Sequence, residues 1–296
     1  MKDPNGQEAE KPETEDSKEQ WVEVKVSLLF GYDDNVVLLN EDRDIVDDYS
    51  TSKFVCTLDV RVTPVIRDKW KLGFQYDLYA SLHDEVEYRE LQAHSLVLFA
   101  FWRSSPNYFY IPVTANVYFL DGDTYMNSVK LVPAYYREQG KRMLLSVSAG
   151  VELLNYMFDS DQGYDGTDYQ AFISETYMFD SDTWIKGTVG FNKVDADEES
   201  RSYMGPKFIV SGNMQLFWDI DLALAYSFQY RDYDEYDEAW ESERLDRRHV
   251  LSAELKKEFS HGISAVLSYT MVVNDSNTER YDYHRNIIMA GIEWSY

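Results

Sequence analysis

The chain has 296 residues, a formal net charge of -25 and a mean hydropathy of -0.48. It contains no stretch of about 18 uncharged apolar residues, so the sequence excludes membrane-spanning helices. The strong negative charge argues against nucleic acid as a partner. A single cysteine, Cys56, excludes an intramolecular disulfide and a multi-cysteine metal site.

Residues 1–20 are polar and charged without periodicity, which predicts a flexible acidic tail or linker. They contain no apolar segment of the kind found in secretory signal peptides. If the barrel interpretation below is correct, we expect that a signal has been removed or that the chain is one domain of a longer protein.

From Trp21 onward, apolar and polar residues alternate with period two, the pattern of β-strands. The clearest segment is Leu222–Arg231, whose even-numbered positions are Leu, Leu, Tyr, Phe and Tyr and whose odd-numbered positions are Ala, Ala, Ser, Gln and Arg. Alternation is weakest in Tyr169–Phe179. The sequence predicts fourteen strands, at 21–32, 52–64, 70–82, 91–103, 108–120, 127–138, 142–156, 169–179, 183–192, 202–217, 220–231, 247–259, 262–273 and 283–296.

The connections are predicted to alternate between tight turns after even-numbered strands and longer loops after odd-numbered strands. The longer loops are 33–50, 83–90, 121–126, 157–168, 193–200, 232–246 and 274–282, and together they carry 32 acidic and five basic residues. Short turns at one rim and long loops at the other are typical of outer-membrane β-barrels. The loops should therefore form an acidic extracellular rim.

A soluble β-sandwich is the alternative, because its strands also alternate. The predicted strands are longer than the ~5–6 residues usual in sandwiches, and their polar faces carry many charges that require water. A barrel satisfies this requirement if its apolar face meets lipid and its polar face lines a wet interior. The residues predicted to line this lumen include Lys25, Arg61, Lys71, Asp77, Lys130, Glu152, Lys186, Lys207, Arg231, Arg248, Glu254, Lys256 and Arg285.

The last strand alternates up to an aromatic terminal residue, with Trp294 and Tyr296 on its apolar face. Bacterial outer-membrane barrels end in a similar way, and the insertion machinery recognises that signal. The sequence therefore predicts an all-β, closed, antiparallel up-and-down barrel over 21–296, located in the bacterial outer membrane with both termini in the periplasm.

Some segments resemble a known group. FGYDDNV at 30–36 resembles the opening of many porin-like barrels, and RLDRRHVLSAEL at 244–255 with SYTMVVNDSNTERYDYHRNIIMAGIEWSY at 268–296 is similar to the C-terminal 14-stranded barrel of surface lipoprotein assembly modifiers. The specific match covers about a fifth of the chain. The resemblance implies lipoprotein export across the outer membrane and a periplasmic tetratricopeptide-repeat domain as a partner, although no helical repeat precedes Trp21.

No catalytic motif is present among the five histidines. His94 and Ser95 are adjacent in a predicted strand, so their side chains point to opposite faces and cannot act as base and nucleophile together. His249 and His284 are expected in a polar girdle at the membrane interface. We therefore predict that the protein is not an enzyme and has no cofactor.

The loop DSDQGYDGTD at 159–168 offers the carboxylates of Asp159, Asp161, Asp165 and Asp168, which suit a divalent cation such as Ca²⁺. The spacing does not fit the helix–loop–helix calcium template, and a solvated rim is the simpler interpretation. Five tryptophans at or near the tight-turn end of a strand are expected to form the periplasmic interface girdle: Trp21, Trp70, Trp184, Trp218 and Trp294.

Function is predicted as a passage across the outer membrane, either a diffusion channel or an export pore for a polypeptide or lipoprotein. The alternative is a non-conducting surface scaffold or adhesin that acts through the acidic loops. Expected partners are outer-membrane lipid, lipopolysaccharide and the barrel insertion machinery.

Overall fold

The computed structural model describes residues 21–36, 50–84, 90–158, 162–237 and 242–296. They form one antiparallel sheet of fourteen strands that closes on itself, because every strand pairs with its sequence neighbours and β1 also pairs with β14. The predicted tail, residues 1–20, lies outside the described residues. The strands are β1 (Val22–Asp33), β2 (Thr51–Arg67), β3 (Trp70–His83), β4 (Leu91–Ser104), β5 (Asn107–Leu120), β6 (Asp123–Leu131 and Ala134–Gln139), β7 (Met143–Tyr156), β8 (Gly166–Met178), β9 (Trp184–Ala196), β10 (Tyr203–Gln215), β11 (Ile220–Asp237), β12 (Ser242–Glu258), β13 (Ile263–Ser276) and β14 (Tyr283–Ser295).

The predicted fold class is confirmed, and each predicted segment corresponds to one strand. The sixth strand differs, because it is interrupted at Val132 and Pro133 although both of its parts pair with β5 and β7. Proline has no backbone N–H to donate, so the ladder breaks at that residue. Among the described residues, no helix is long and apolar enough to cross a membrane.

The predicted alternation of loop lengths is only partly correct. The connection predicted as a long loop at 121–126 is a two-residue turn at Asp121 and Gly122, which have positive φ angles of 52° and 84°. Positive φ at both positions is the geometry of a type I′ hairpin turn. The loop predicted at 232–246 is also shorter, because β11 and β12 continue through its ends. Backbone pairing extends a strand where side-chain alternation has already stopped.

The two ends of the barrel differ in their connections. The short-turn rim contains 68–69, 105–106, 140–142, 179–183, 216–219 and 259–262, and the long-loop rim contains the connections after the odd-numbered strands. At the short-turn rim, the carboxylate of Asp180 accepts bonds of 2.9 and 2.7 Å from the backbone N–H groups of Asp182 and Thr183. These bonds hold the pKa of the Asp180 carboxyl below its usual range.

The sheet has two chemically different faces. Large apolar side chains remain exposed on the outer face, with Leu98 56% and Ile292 57% exposed. The inner face carries the buried polar side chains, such as Ser27 and Thr188. An apolar exterior with a polar interior is the reverse of a soluble protein and is typical of a transmembrane barrel.

The closing seam joins the first and last strands. The register pairs Lys25 with Ser295 and Asp33 with Ile287, and Val24 exchanges backbone bonds of 2.9 and 2.8 Å with Tyr296. Gly291 lies on this seam, where a Cβ would overlap the backbone of β1. Close approach of the two strands therefore requires glycine at this position.

The predicted tryptophan girdle is largely present at the short-turn rim. Trp21, Trp70, Trp218 and Trp294 are 63%, 48%, 73% and 41% exposed. Trp184 is an exception, because it shares the inner face with the buried Thr188 whereas its neighbour Ile185 faces outward. The prediction for Trp184 was wrong, since proximity to a turn does not fix which face a residue occupies.

Candidate functional site: the inner face of the barrel

All of the charged residues predicted to line the lumen lie on the inner face of the sheet. Most of them alternate in step with the buried polar residues of the same strand. Glu152 is placed on this face by its contacts with Ser128 and Lys130, and Lys207 lies on the same face of its strand as the buried Ile209. These residues are Lys25, Arg61, Lys71, Asp77, Lys130, Glu152, Lys186, Lys207, Arg231, Arg248, Glu254, Lys256 and Arg285. That they line a conducting passage stays a prediction.

Near the long-loop rim of the seam, Asp33 is the centre of a charged cluster. Its side chain is fully buried, and it accepts bonds of 2.9 and 2.5 Å from Arg285 and one of 3.4 Å from Lys53. The buried His83 lies in the same cluster and is hydrogen-bonded to Ser81 at 3.1 Å. This cluster connects β14, β1, β2 and β3 across the closing seam.

Sequence reasoning assigned no role to Asp33, Lys53 or His83. The apolar alternation of β1 ends before Asp33, so the sequence predicts a loop that starts there. The one signal that Asp33 faces inward is that it lies an even number of residues from Lys25, on the same face of β1.

A second cluster lies on the seam near the short-turn rim. Glu293 binds Lys256 at 2.6 Å and Lys25 at 3.1 Å, and it accepts a bond of 3.3 Å from Ser27. Its side chain is only 8% exposed. This second cluster brings side chains of β12, β14 and β1 together beyond the backbone pairing.

On the wall formed by β4 to β7, polar side chains form a continuous ladder across neighbouring strands. Ser95 donates to Asn116 at 2.5 Å, Asn116 donates to Ser128 at 2.8 Å, and Ser128 donates to Glu152 at 2.7 Å. Lys130 pairs with the same carboxylate at 3.3 Å. Such cross-strand contacts stabilise a sheet and hold the inner side chains in place.

The inner face of β11 to β14 carries an arginine cluster near the long-loop rim, formed by Arg231, Arg244, Arg248 and Arg285. Arg244 binds Asp246 through two bonds of 3.0 and 2.5 Å, and its guanidinium lies 4.3 Å from the ring centre of Tyr233 and 3.3 Å from that of Tyr281. Sequence reasoning did not identify Arg244 or Asp246, because both were assigned to a loop.

Arg231 and Arg248 make no ion pair with a carboxylate of the described residues, unlike the other two arginines. Arg231 lies over the ring of Tyr203 at 5.0 Å and donates to Gln229 at 3.1 Å, but its Nε has no hydrogen-bond acceptor. Arg248 makes no hydrogen bond and no ion pair with the residues that the structure describes, and its Nε is buried without an acceptor. The inner face therefore holds guanidinium groups with unused donors.

The acidic loop at 159–168 is only partly described. Asp159 and Asp161 lie outside the described residues. Asp165 accepts a bond from the backbone N–H of Tyr156, and Asp168 lies on β8 and accepts one of 3.2 Å from Asn192. The described ranges contain no group of three or more His, Cys, Asp or Glu residues arranged for a metal ion, and the cation site stays a prediction.

Two histidines lie on the outer face, each beside a tyrosine. His94 is hydrogen-bonded to Tyr76, and His249 to Tyr226, both at 2.8 Å. Ser95 points to the inner face, as expected for neighbours in a strand. The prediction that the protein is not an enzyme remains untested.

Solved structures with this architecture include an anion-selective porin from Comamonas acidovorans, which aligns with a TM-score of 0.52 at 9% identity over 93% of this chain and 98% of that chain. The chain has the fold of a porin-like outer-membrane β-barrel. OmpT, an outer membrane protein of Vibrio cholerae solved in its trimer form, aligns with a TM-score of 0.50 at 10% identity over 94% of this chain and 100% of that chain.

At these identities the likeness extends to the fold alone. Residues 163–295, less than half of the chain, match a family described as a protein of unknown function, DUF2860. No curated protein sequence matches the chain. The resemblance to surface lipoprotein assembly modifiers is not confirmed by these matches and stays a prediction.

Proposed function

We propose that the protein is a channel of the bacterial outer membrane that lets small hydrophilic solutes diffuse through its interior. The observation that carries this proposal is the inner face, where Arg248, Lys186 and Glu254 are charged and make no hydrogen bond or ion pair with described residues. A charged side chain without a partner needs water, because burying a single ion in a dry interior costs roughly several kcal/mol.

Barrel size is compatible with a water-filled path. Barrels of about 8 strands are filled by their own side chains, whereas barrels of 16–18 strands leave an open channel. Fourteen strands lie between these cases. The described residues belong to the wall or to its connections, and residues 1–20 are the natural segment to test as a plug.

The test is single-channel conductance of the refolded chain in a planar bilayer, with and without residues 1–20. We expect ohmic current steps from the full chain. Steps that appear only after truncation would make residues 1–20 a gate. The absence of steps from both forms would contradict a diffusion channel and favour a gated export pore or the surface scaffold.

We also propose that the long-loop rim faces the outside of the cell and the short-turn rim, with both termini, faces the periplasm. This orientation follows from the acidic long loops and the tight turns. In a chain with Cys56 replaced, Arg280→Cys at the long-loop rim should react with a membrane-impermeant maleimide on intact cells. Asp68→Cys at the short-turn rim should react only after permeabilisation, and reaction of Asp68→Cys on intact cells would contradict the orientation.

The outer face supplies the remaining proposed contacts. Its apolar band would meet lipid, and the long-loop rim would contact lipopolysaccharide through divalent ions. Trp294 and Tyr296 would be recognised by the barrel insertion machinery. Export of a lipoprotein is the finer proposal, which rests on the resemblance of the closing strands and would require a periplasmic domain upstream of Trp21.

A further inference from the structure

We propose that the arginine cluster is a binding subsite for small solutes that carry a carboxylate or phosphate group. This inference rests on the proposed channel function and names the class of solute that the channel favours. It is carried by the unused guanidinium donors on the inner face, and not by the net charge of the chain, which is negative.

The backbone register brings the four arginines to one patch of wall. Arg231 is opposite Asp246, and Arg248 is opposite Gln229 on one side and Asn274 on the other. Asn274 is in turn opposite Tyr283, two residues from Arg285 on β14. The titratable groups around Arg248 include Arg231 and Arg285, together with Tyr203 and Tyr283.

Charge within this patch is not balanced by its own acids. The carboxylates that the structure places against these cations are Asp33 and Asp246. Asp33 is shared between Arg285 and Lys53, and Asp246 is bound by Arg244. Two carboxylates thus serve five cations, and Arg248 has neither of them as a partner.

An aromatic neighbour orients one of the two arginines that have unused donors. Arg231 lies over the ring of Tyr203, and stacking on a ring face leaves the N–H groups at the edge of the guanidinium plane free to donate. Carboxylate and phosphate oxygens match this planar set of donors. Arg231 and Arg248 are only half-buried, so the patch is accessible from the interior.

A solute would meet opposite charges in sequence along the channel. The long-loop rim is acidic and favours cations, whereas the arginine cluster immediately below it favours anions. The subsite therefore selects by contact at short range, because exposed charges are screened beyond about 8–10 Å at physiological salt.

Block of the single-channel current by succinate tests the proposal, with succinamide as the uncharged probe of the same length. We expect succinate to block the native channel and succinamide not to. Arg248→Gln should raise the half-blocking concentration of succinate by roughly tenfold, the loss expected for a charge-assisted hydrogen bond. Arg248→Lys should lie between the two, because it keeps the charge and loses the planar pair of donors.

Lys186→Gln is the matched control, since it removes an unpaired positive charge from the inner face of β9, away from the cluster. It should leave succinate block nearly unchanged. If Lys186→Gln and Arg248→Gln raise the half-blocking concentration of succinate equally, the subsite is overturned. The block would then depend only on the overall charge of the lumen. Succinate could also block only a chain that lacks residues 38–48, which include Asp42 and Asp44. This result would mean that the chain's own carboxylates occupy the arginines of the intact protein, and it would overturn the solute subsite.

A second measurement does not need conduction. Succinate, but not succinamide, should raise the thermal unfolding midpoint of the refolded native protein, because a ligand that binds only the folded state stabilises it. The shift should be lost in Arg248→Gln and kept in Lys186→Gln. A protein that shows this shift but conducts no current would contradict the proposed channel function and support the subsite. A protein that conducts current but shows neither block nor shift would support the channel function and contradict the subsite.

Discussion

The replacement Asp33→Asn tests how the barrel is held closed. Asp33 is fully buried and binds both Arg285 and Lys53, whose side chains are 19% and 8% exposed. Removing one partner of a buried ion pair typically costs about 3–5 kcal/mol. Asparagine keeps one acceptor and the interior supplies some water, so we expect a loss of about 2–3 kcal/mol in the free energy of unfolding.

Urea-induced unfolding of the refolded protein in detergent micelles measures this loss, with the heat-modifiable band on a gel as a check that the barrel has formed. Asp275→Asn is the control, because Asp275 pairs with Arg247 on the surface and these side chains are 57% and 55% exposed. It should cost less than about 1 kcal/mol. Equal losses in the two variants would refute the argument that burial makes the Asp33 contacts important.

Three further variants examine the seam. Gly291→Val should prevent closure and abolish the heat-modifiable band, because its side chain would overlap the backbone of β1, whereas Gly187→Val has open space around its Cβ and should fold normally. Glu293→Gln should lower the free energy of unfolding by about 1–2 kcal/mol by weakening the contact to Lys256, and an unchanged urea midpoint would contradict this. Removing Tyr296 should reduce assembly by purified insertion machinery more than refolding in detergent, and equal yields of the two forms in the assembly reaction would exclude it as an insertion signal.

The strand pattern and the face of each strand could be predicted from the sequence. Period-two alternation identifies a strand and assigns its side chains to opposite faces, and for Lys25, Arg231 and Glu254 the assigned face agrees with the structure. Closure also followed from the sequence, because open sheet edges cannot exist in lipid.

Strand ends were less predictable. β11 and β12 continue past the apolar layer, and their pairing there depends on backbone hydrogen bonds that leave no periodic trace in side-chain hydropathy. The predicted loop at 121–126 is a turn at Asp121 and Gly122, again because backbone pairing continues where the apolar alternation has stopped. Arg244 and Asp246 were therefore assigned to a loop and were not identified as part of the inner face.

The sequence by itself determined that these residues form a barrel with a charged interior, because alternation is a local property of each strand. Only the tertiary structure decided which charges compensate each other. Asp33 and Arg285 are far apart in the chain and meet only because β1 pairs with β14 in one register. The same register leaves Arg248 without a carboxylate among the described residues, and on this local imbalance within an acidic chain the proposed anion subsite depends.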